Sequence, residues 1–148
     1  MQYFSTLMAL ALGASTLLTA HASVGVHCGT TGDAVLSDCK DMLNDKAFWD
    51  GEFNTGATCT YTNPFSTVPL PTTAYNVACK GECCVYVAAT GADTVLKETT
   101  RQEALGLLGC GDEGANKING MQKFDDGHGV CIGDRGACGD CFDDIDFA

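Results

Sequence analysis

Positive charge is what this chain lacks most: eight Lys and Arg stand against nineteen Asp and Glu, giving a formal net charge of -11 and a pI near 4.3. No basic run offsets the deficit. Phosphate backbones and anionic lipid are repelled by such a body, which argues against nucleic acid and against negatively charged membranes as partners. Proline is scarce too, and its three copies sit together at Pro64, Pro69 and Pro71. The only histidines are His21, His27 and His128, and no G-x-S-x-G elbow is present, so a nucleophilic triad has little to draw on. Cys138-Gly-Asp-Cys141 has no second C-x-x-C to complete a tetrahedral zinc set. Beyond the N-terminal region there is no further long apolar run, so membrane insertion is not expected.

The one apolar run, residues 4–18, carries no charge and is too short for a membrane span. It is followed by Ala20-His21-Ala22, the small-x-small pattern that signal peptidase cuts. Residues 1–22 therefore read as a secretory signal peptide, and 23–148 as a single secreted domain. All ten cysteines lie in that domain: Cys28, Cys39, Cys59, Cys79, Cys83, Cys84, Cys110, Cys131, Cys138 and Cys141. An even count at this density in an oxidising compartment predicts five disulfides and no free thiol. The pairing stays open at this level, and each bridge should add roughly 2 to 4 kcal/mol to a modest core.

The pattern is that of a small α+β domain. Residues 75–89, YNVACKGECCVYVAA, read as a β-hairpin turning on Lys80-Gly81. A three-residue loop ending on Gly81 would set Val77 opposite Cys83 and align Tyr75, Val77, Cys83, Val85 and Val87 on one buried face. Cys83 and Cys84, adjacent in an extended strand, must bridge to opposite sides. Upstream, Val35, Leu36, Cys39, Met42 and Leu43 recur at helical spacing, predicting a helix over 33–43 with Asp33 as N-cap. Phe48-Trp49 reads as a core plug, and ATCTYT (57–62) as a strand. Residues 63–73, uncharged and holding every proline, read as an extended surface loop. Downstream, Thr100-x-x-Glu103 has the form of a capping box ahead of Ala104, Leu105, Leu107 and Leu108, with Gly109 as the stop and an upstream extension toward Asp93. In the Gly- and Asp-rich last third, 129–132 is the one clear strand.

Three constellations bear on chemistry. Asp125, Asp126, Asp134, Asp140, Asp143, Asp144 and Asp146 could supply oxygen ligands for calcium, but their spacing lacks the alternation and terminal Glu of an EF-hand loop, and a solvated acidic surface is expected. His21 could chelate copper only if cleavage fell after Ala20, so the histidines are expected to be isolated and exposed. Carboxylate pairs for glycoside hydrolysis are not selected by any spacing. No catalytic residue, cofactor or metal is assigned.

Two groups of motifs resemble known proteins. CGTTGDAVLSDC (28–39) followed by Phe48-Trp49 is similar to the opening of the necrosis-inducing secreted effectors of plant-associated fungi. NVACKGECCVYVAATG (76–91) with TRQEALGLLGCG (100–111) resembles the strand, helix and Gly-Cys-Gly ending of the smut-virus killer toxins. The resemblance implies a small disulfide-stapled α/β sandwich, an antiparallel sheet packed with two helices. Fungal growth inhibition, calcium-channel interference and host necrosis then become candidate activities. The channel-blocking toxins are basic and depend on an exposed lysine, whereas this chain is acidic and no lysine maps onto that role, so channel block is not carried over. The expectation is a secreted, monomeric, non-enzymatic effector-like or killer-toxin-like protein. It would bind a protein or neutral glycan on another cell through Phe65, Val68 and Leu70. The rival classes are a cell-wall-associated enzyme and a structural or calcium-binding surface protein.

Overall fold

The structure, a computed structural model, describes residues 22–54, 58–62, 71–88, 94–138 and 140–142. The first strand, β1 (Ser23–Cys28), leads through a Gly29 turn to the short β2 (Ala34–Val35), which runs directly into helix α1 (Leu36–Asn44). A 3-10 turn at Lys46–Trp49 precedes β3 (Glu52–Asn54) and β4 (Thr58–Thr62). The central hairpin is β5 (Pro71–Lys80) and β6 (Cys83–Ala88). After it come β7 (Thr94–Leu96), helix α2 (Lys97–Leu105) and a 3-10 turn at Gly106–Cys110. The chain closes with β8 (Lys117–Ile118), β9 (Gly120–Phe124), β10 (Gly129–Gly133) and a 3-10 turn at Asp140–Phe142.

The result is the expected α+β class: a six-stranded antiparallel sheet, ordered β1-β9-β10-β6-β5-β4, with both helices on one face. Two small ribbons, β2-β8 and β3-β7, flank it. On the helix side, Leu36, Cys39, Met42 and Leu43 of α1 and Ala104 of α2 pack with Val77, Cys83, Val85, Val87, Val130 and Ile132 from the sheet. The other face is covered by the C-terminal segment, where Ala137, Cys141 and Phe142 pack on Ala74, Cys84, Tyr86, Ala88, Met121 and Cys131. Because β6 lies between these two layers, all six of its residues are buried. An apolar run without polar alternation, CCVYVA, fits a strand covered on both sides.

The β5-β6 hairpin keeps the predicted face but not the predicted register. Lys80 pairs with Cys83 and Cys79 with Cys84, so the turn is the two-residue Gly81-Glu82 and Val77 does not face Cys83. Gly81 has φ of 57°, and a Cβ there would collide with Asp38 Oδ2 of α1. That oxygen accepts a hydrogen bond from Glu82 N at 2.8 Å, so the helix itself holds the turn tight. A bulge between Asn76 and Ala78 then shifts the pairing by one residue. Val77 and Ala78 both enter the helix-side core as a consequence, and Tyr75 returns to that side opposite Val87.

Other expectations need correcting. Helix α1 starts at Leu36 rather than Asp33, because Ala34 and Val35 are taken by the ladder to Ile118 and Lys117. Asp33 is not its cap; it accepts from Lys117 Nζ at 3.0 Å and from Asn119 Nδ2. Those contacts hold its carboxyl below the usual range. The cap comes from Asn116 instead, whose backbone and side-chain oxygens accept from Leu36 N and Ser37 N at 3.0 Å each. Asn116 sits at φ of 52°, a region Asn tolerates better than most residues. At the other end, Trp49 Nε1 donates to Met42 O and Arg101 Nη1 to Leu43 O, both at 2.8 Å. Trp49 is the buried plug foreseen, whereas Phe48 stays 37% exposed. Thr100 and Glu103 lie inside α2 and form no capping box; the helix does extend upstream of them, but only to Lys97, because Thr94–Leu96 pairs with β3. The proline-bearing stretch is shorter than 63–73, since β5 begins at Pro71, where a strand's first residue can lack an N–H. No helix among the described residues is long and apolar enough to cross a membrane.

Candidate functional site

The cysteines act as cross-links. Cys28–Cys110 joins β1 to the 3-10 turn after α2, Cys39–Cys83 joins α1 to β6, Cys79–Cys84 staples the hairpin across its strands, and Cys131–Cys141 fastens the C-terminal turn to β10. Cys83 and Cys84 do bridge in opposite directions, as neighbours in a strand must. Cys138 is also disulfide-bonded, and no described cysteine is free. The side chain of Cys59 lies outside the described residues.

Titratable groups converge at one point, and it is one that sequence reasoning treated as an isolated exposed histidine. His128 follows the tight turn between β9 and β10, where Gly127 has φ of 92°, and it is only 7% exposed. Its ring stacks on Phe124, centroids 4.5 Å apart and planes 5° from parallel. Nδ1 lies 2.5 Å from Asp126 Oδ1, and Nε2 lies 3.3 Å from Glu103 Oε1 of α2. The same Asp126 oxygen accepts from His128 N at 3.0 Å. Glu103 is itself close to buried, its side chain 10% exposed, while Asp126 is 42% exposed. Burial pushes the imidazole toward its neutral form, but Glu103 and Asp126 outweigh that and raise its pKa above 6.5. With a carboxylate on each nitrogen and a phenyl ring on one face, the imidazole offers no lone pair to a substrate. When protonated it can donate to a carboxylate from each nitrogen and so join two elements.

Several other acids have local tasks. Asp134 Oδ1 accepts from Gly136 N at 2.8 Å, its backbone oxygen accepts from the Tyr86 hydroxyl at 2.7 Å, and Asp112 Oδ1 accepts from Gly114 N and Ala115 N. Burial, reinforced by the Asp134 charge, pushes the Tyr86 phenol up to about 12. Arg101, 4% exposed, donates through Nε and Nη2 to Glu98 at 2.6 Å, and that contact, against some desolvation, holds the Glu98 carboxyl at about 2. Among the described residues no group of three or more His, Cys, Asp or Glu is placed to hold a metal ion. Asp140 is exposed in the C-terminal 3-10 turn, and Asp143, Asp144 and Asp146 lie outside the described residues, as does His21. His27 is in β1, opposite Met121.

Phe65, Val68 and Leu70 also lie outside the described residues. Their segment connects two strands of known register, with Thr62 paired to Pro71 at its base on the β4 edge of the sheet. A signal for the His128 cluster did exist in the sequence: Asp125-Asp126-Gly127-His128 reads as a turn, in which an Asp side chain can bond the backbone two residues on, and a carboxylate brought there can orient an imidazole. Glu103, twenty-five positions upstream, could not be paired with it without the fold. Set against protein-family models, characterised proteins and solved structures, the chain matches none.

Proposed function

We propose that the chain is a secreted, non-enzymatic protein that acts as a monomer by binding a protein or neutral glycan on another cell. This is the mode of action implied by its resemblance to fungal necrosis-inducing effectors and smut killer toxins. The observation that carries the proposal is the distribution of the disulfides: four defined bridges tie β1, α1, the central hairpin and the C-terminal turn, one to each part of the fold. Cross-linking on this scale suits an oxidising, extracellular setting in which a small domain must hold a surface in place without a large core. The net charge of -11 favours protein or uncharged carbohydrate over anionic membrane as the target. The rival readings draw less support. Among the described residues the one buried histidine, His128, has both ring nitrogens engaged by carboxylates, and Asp33, Asp126 and Asp134 spend oxygens on neighbouring donors.

The contact surface in this proposal is the segment with Phe65, Val68 and Leu70, held at its base by the β4-β5 ladder. Prolines 64 and 69 reduce the entropy lost on docking, and three apolar side chains supply the contact. The test adds purified protein to fungal and plant cells and scores growth and death, with the double variant Phe65→Ser/Leu70→Ser beside it. The wild type should act on one of the two cell types, and the variant should lose activity while keeping the far-UV spectrum and urea midpoint of the wild type. A folded, fully active variant would place the surface elsewhere, and a misfolded one would assign those residues to the core.

A further inference from the structure

His128 joins two elements that no disulfide joins directly. Helix α2 is covalently linked only through the 3-10 turn after it, by Cys28–Cys110, and the β9-β10 turn carries no cysteine. The turn closes on itself through Phe124 N to His128 O and Gly127 N to Phe124 O, each at 3.0 Å. From that turn His128 reaches Glu103 across to α2.

The protonation chemistry of that contact is restrictive. A neutral imidazole has one N–H and can satisfy one carboxylate, leaving its other nitrogen's lone pair against the second. Only the imidazolium donates to Asp126 and Glu103 together. The two sites are not equivalent when the proton leaves. Asp126 is 42% exposed and keeps its bond to His128 N, whereas Glu103, 10% exposed, is left as a nearly buried anion facing a lone pair.

We propose that His128 is a pH-operated latch, closed in acid, that clamps the β9-β10 turn to α2 through Glu103 and releases it as the surroundings become alkaline. Among the described residues, the groups that raise the ring's pKa are Glu103 from α2 and Asp126 from its own turn. Beside them on the hairpin are Asp125 and, on β9, Lys123, which pairs with Gly129. The neighbouring strands bring His27 of β1, opposite Met121, and Tyr86 of β6, whose hydroxyl is bound to Asp134 O. The sign follows from a folded pKa raised above the ordinary 6.5. The latch contributes fully below that value and its contribution is lost as the pH climbs through the folded pKa. For each unit between the two values the unfolding constant rises tenfold across that window. The latch does not depend on the identity of any target.

The experiment is a urea unfolding series on the purified protein from about pH 5.5 to 9, with His128→Gln and Glu103→Gln alongside, and an NMR titration of the histidine ring protons. The wild type should lose stability as pH rises, and the difference between its curve and that of His128→Gln should shrink toward zero in alkali. Glu103→Gln should lose that pH dependence. Its amide can donate to Nε2 of the neutral ring while Nδ1–H serves Asp126, so this variant should be weaker than wild type in acid, flat across the range, and equal or stronger at the alkaline end. Hydrogen exchange at Gly127, His128 and the α2 amides should quicken with pH in the wild type beyond intrinsic chemistry, and not in Glu103→Gln. A His128 titration at or below 6.5, or a Glu103→Gln curve that falls in parallel with wild type, overturns the latch. Should His128→Gln fail to fold, the ring titration and the Glu103→Gln curve still decide the matter.

Discussion

Two of the disulfides differ in how much chain they enclose and in what they join, which permits a quantitative test of what holds the fold. Cys39–Cys83 spans 44 residues and Cys79–Cys84 spans 5. In the chain-entropy treatment, opening the short loop costs about 2 kcal/mol and the long one about 4. The larger figure falls to about 3 to 4 kcal/mol when the ring closed by Cys28–Cys110, which encloses it, is retained. Replacing each pair by two alanines leaves no stray thiol and removes similar buried sulfur, since Cys39, Cys83 and Cys84 are fully buried and Cys79 partly so. Cys39→Ala/Cys83→Ala also disconnects α1 from the central strand, whereas Cys79→Ala/Cys84→Ala leaves a hairpin still held by its ladder and by the Asp38 contact to Glu82 N. Urea unfolding followed by tryptophan fluorescence is a suitable readout, because Trp49 is buried beside α1. With a slope of about 1 to 2 kcal/mol per molar urea, the long-loop variant should melt about 1 M earlier than the short-loop variant. A short-loop variant that is equally or more damaged would refute the reasoning and assign the hairpin staple the larger share of stability.

Gly81→Ala should destabilise by about 2 kcal/mol in the same assay, because a Cβ must occupy a left-handed conformation and meet Asp38. Asp38→Ala introduced beside it should relieve part of that loss and no more. Arg101→Ala removes the donor to Leu43 O and the packing of a nearly buried stem, and should cost about 1 to 3 kcal/mol in the urea midpoint. Arg101→Lys should recover little of it, since one ammonium cannot serve both Leu43 O and Glu98 with fixed geometry.

What could be read from the sequence was what depends on near neighbours. The alternation of apolar residues through the central hairpin placed Val77, Cys83, Val85 and Val87 in one layer even though the assumed turn was wrong, because the bulge at Val77 restores the parity that a two-residue turn would otherwise break. The buried face of α1 was legible for the same reason. Its ends were not. Asn116, Trp49 and Arg101 satisfy its termini from other parts of the chain, so no local capping signal marks where it starts or stops. The apparent capping box at Thr100 misled because Glu103 is committed to His128, a partner visible only once β9 and β10 are folded against α2. Strands β1 and β9 escaped notice because glycine and polar residues interrupt them: SVGVHC and GMQKF lack the β-branched density of β6.

The Cys28–Cys110 bridge also decides where the molecule would yield to a pull. The two Cα atoms are 5.3 Å apart although 82 positions separate them, so tension applied along the chain passes through sulfur and bypasses everything between. Both helices and the β5-β6 hairpin sit in that bypassed stretch, so while the bond is intact the pull reaches them through the ladder of β6 to β10 and not along their own backbone. Between Cys110 and Cys131, where the next bridge begins, about 20 residues remain free to lengthen, some 70 Å of extension at about 3.5 Å per residue. That stretch is β8, β9 and the Asp125–His128 turn. In a single-molecule stretching trace it would give one short step, and a thiol reductant would add a later one of about 290 Å as the shielded loop is paid out.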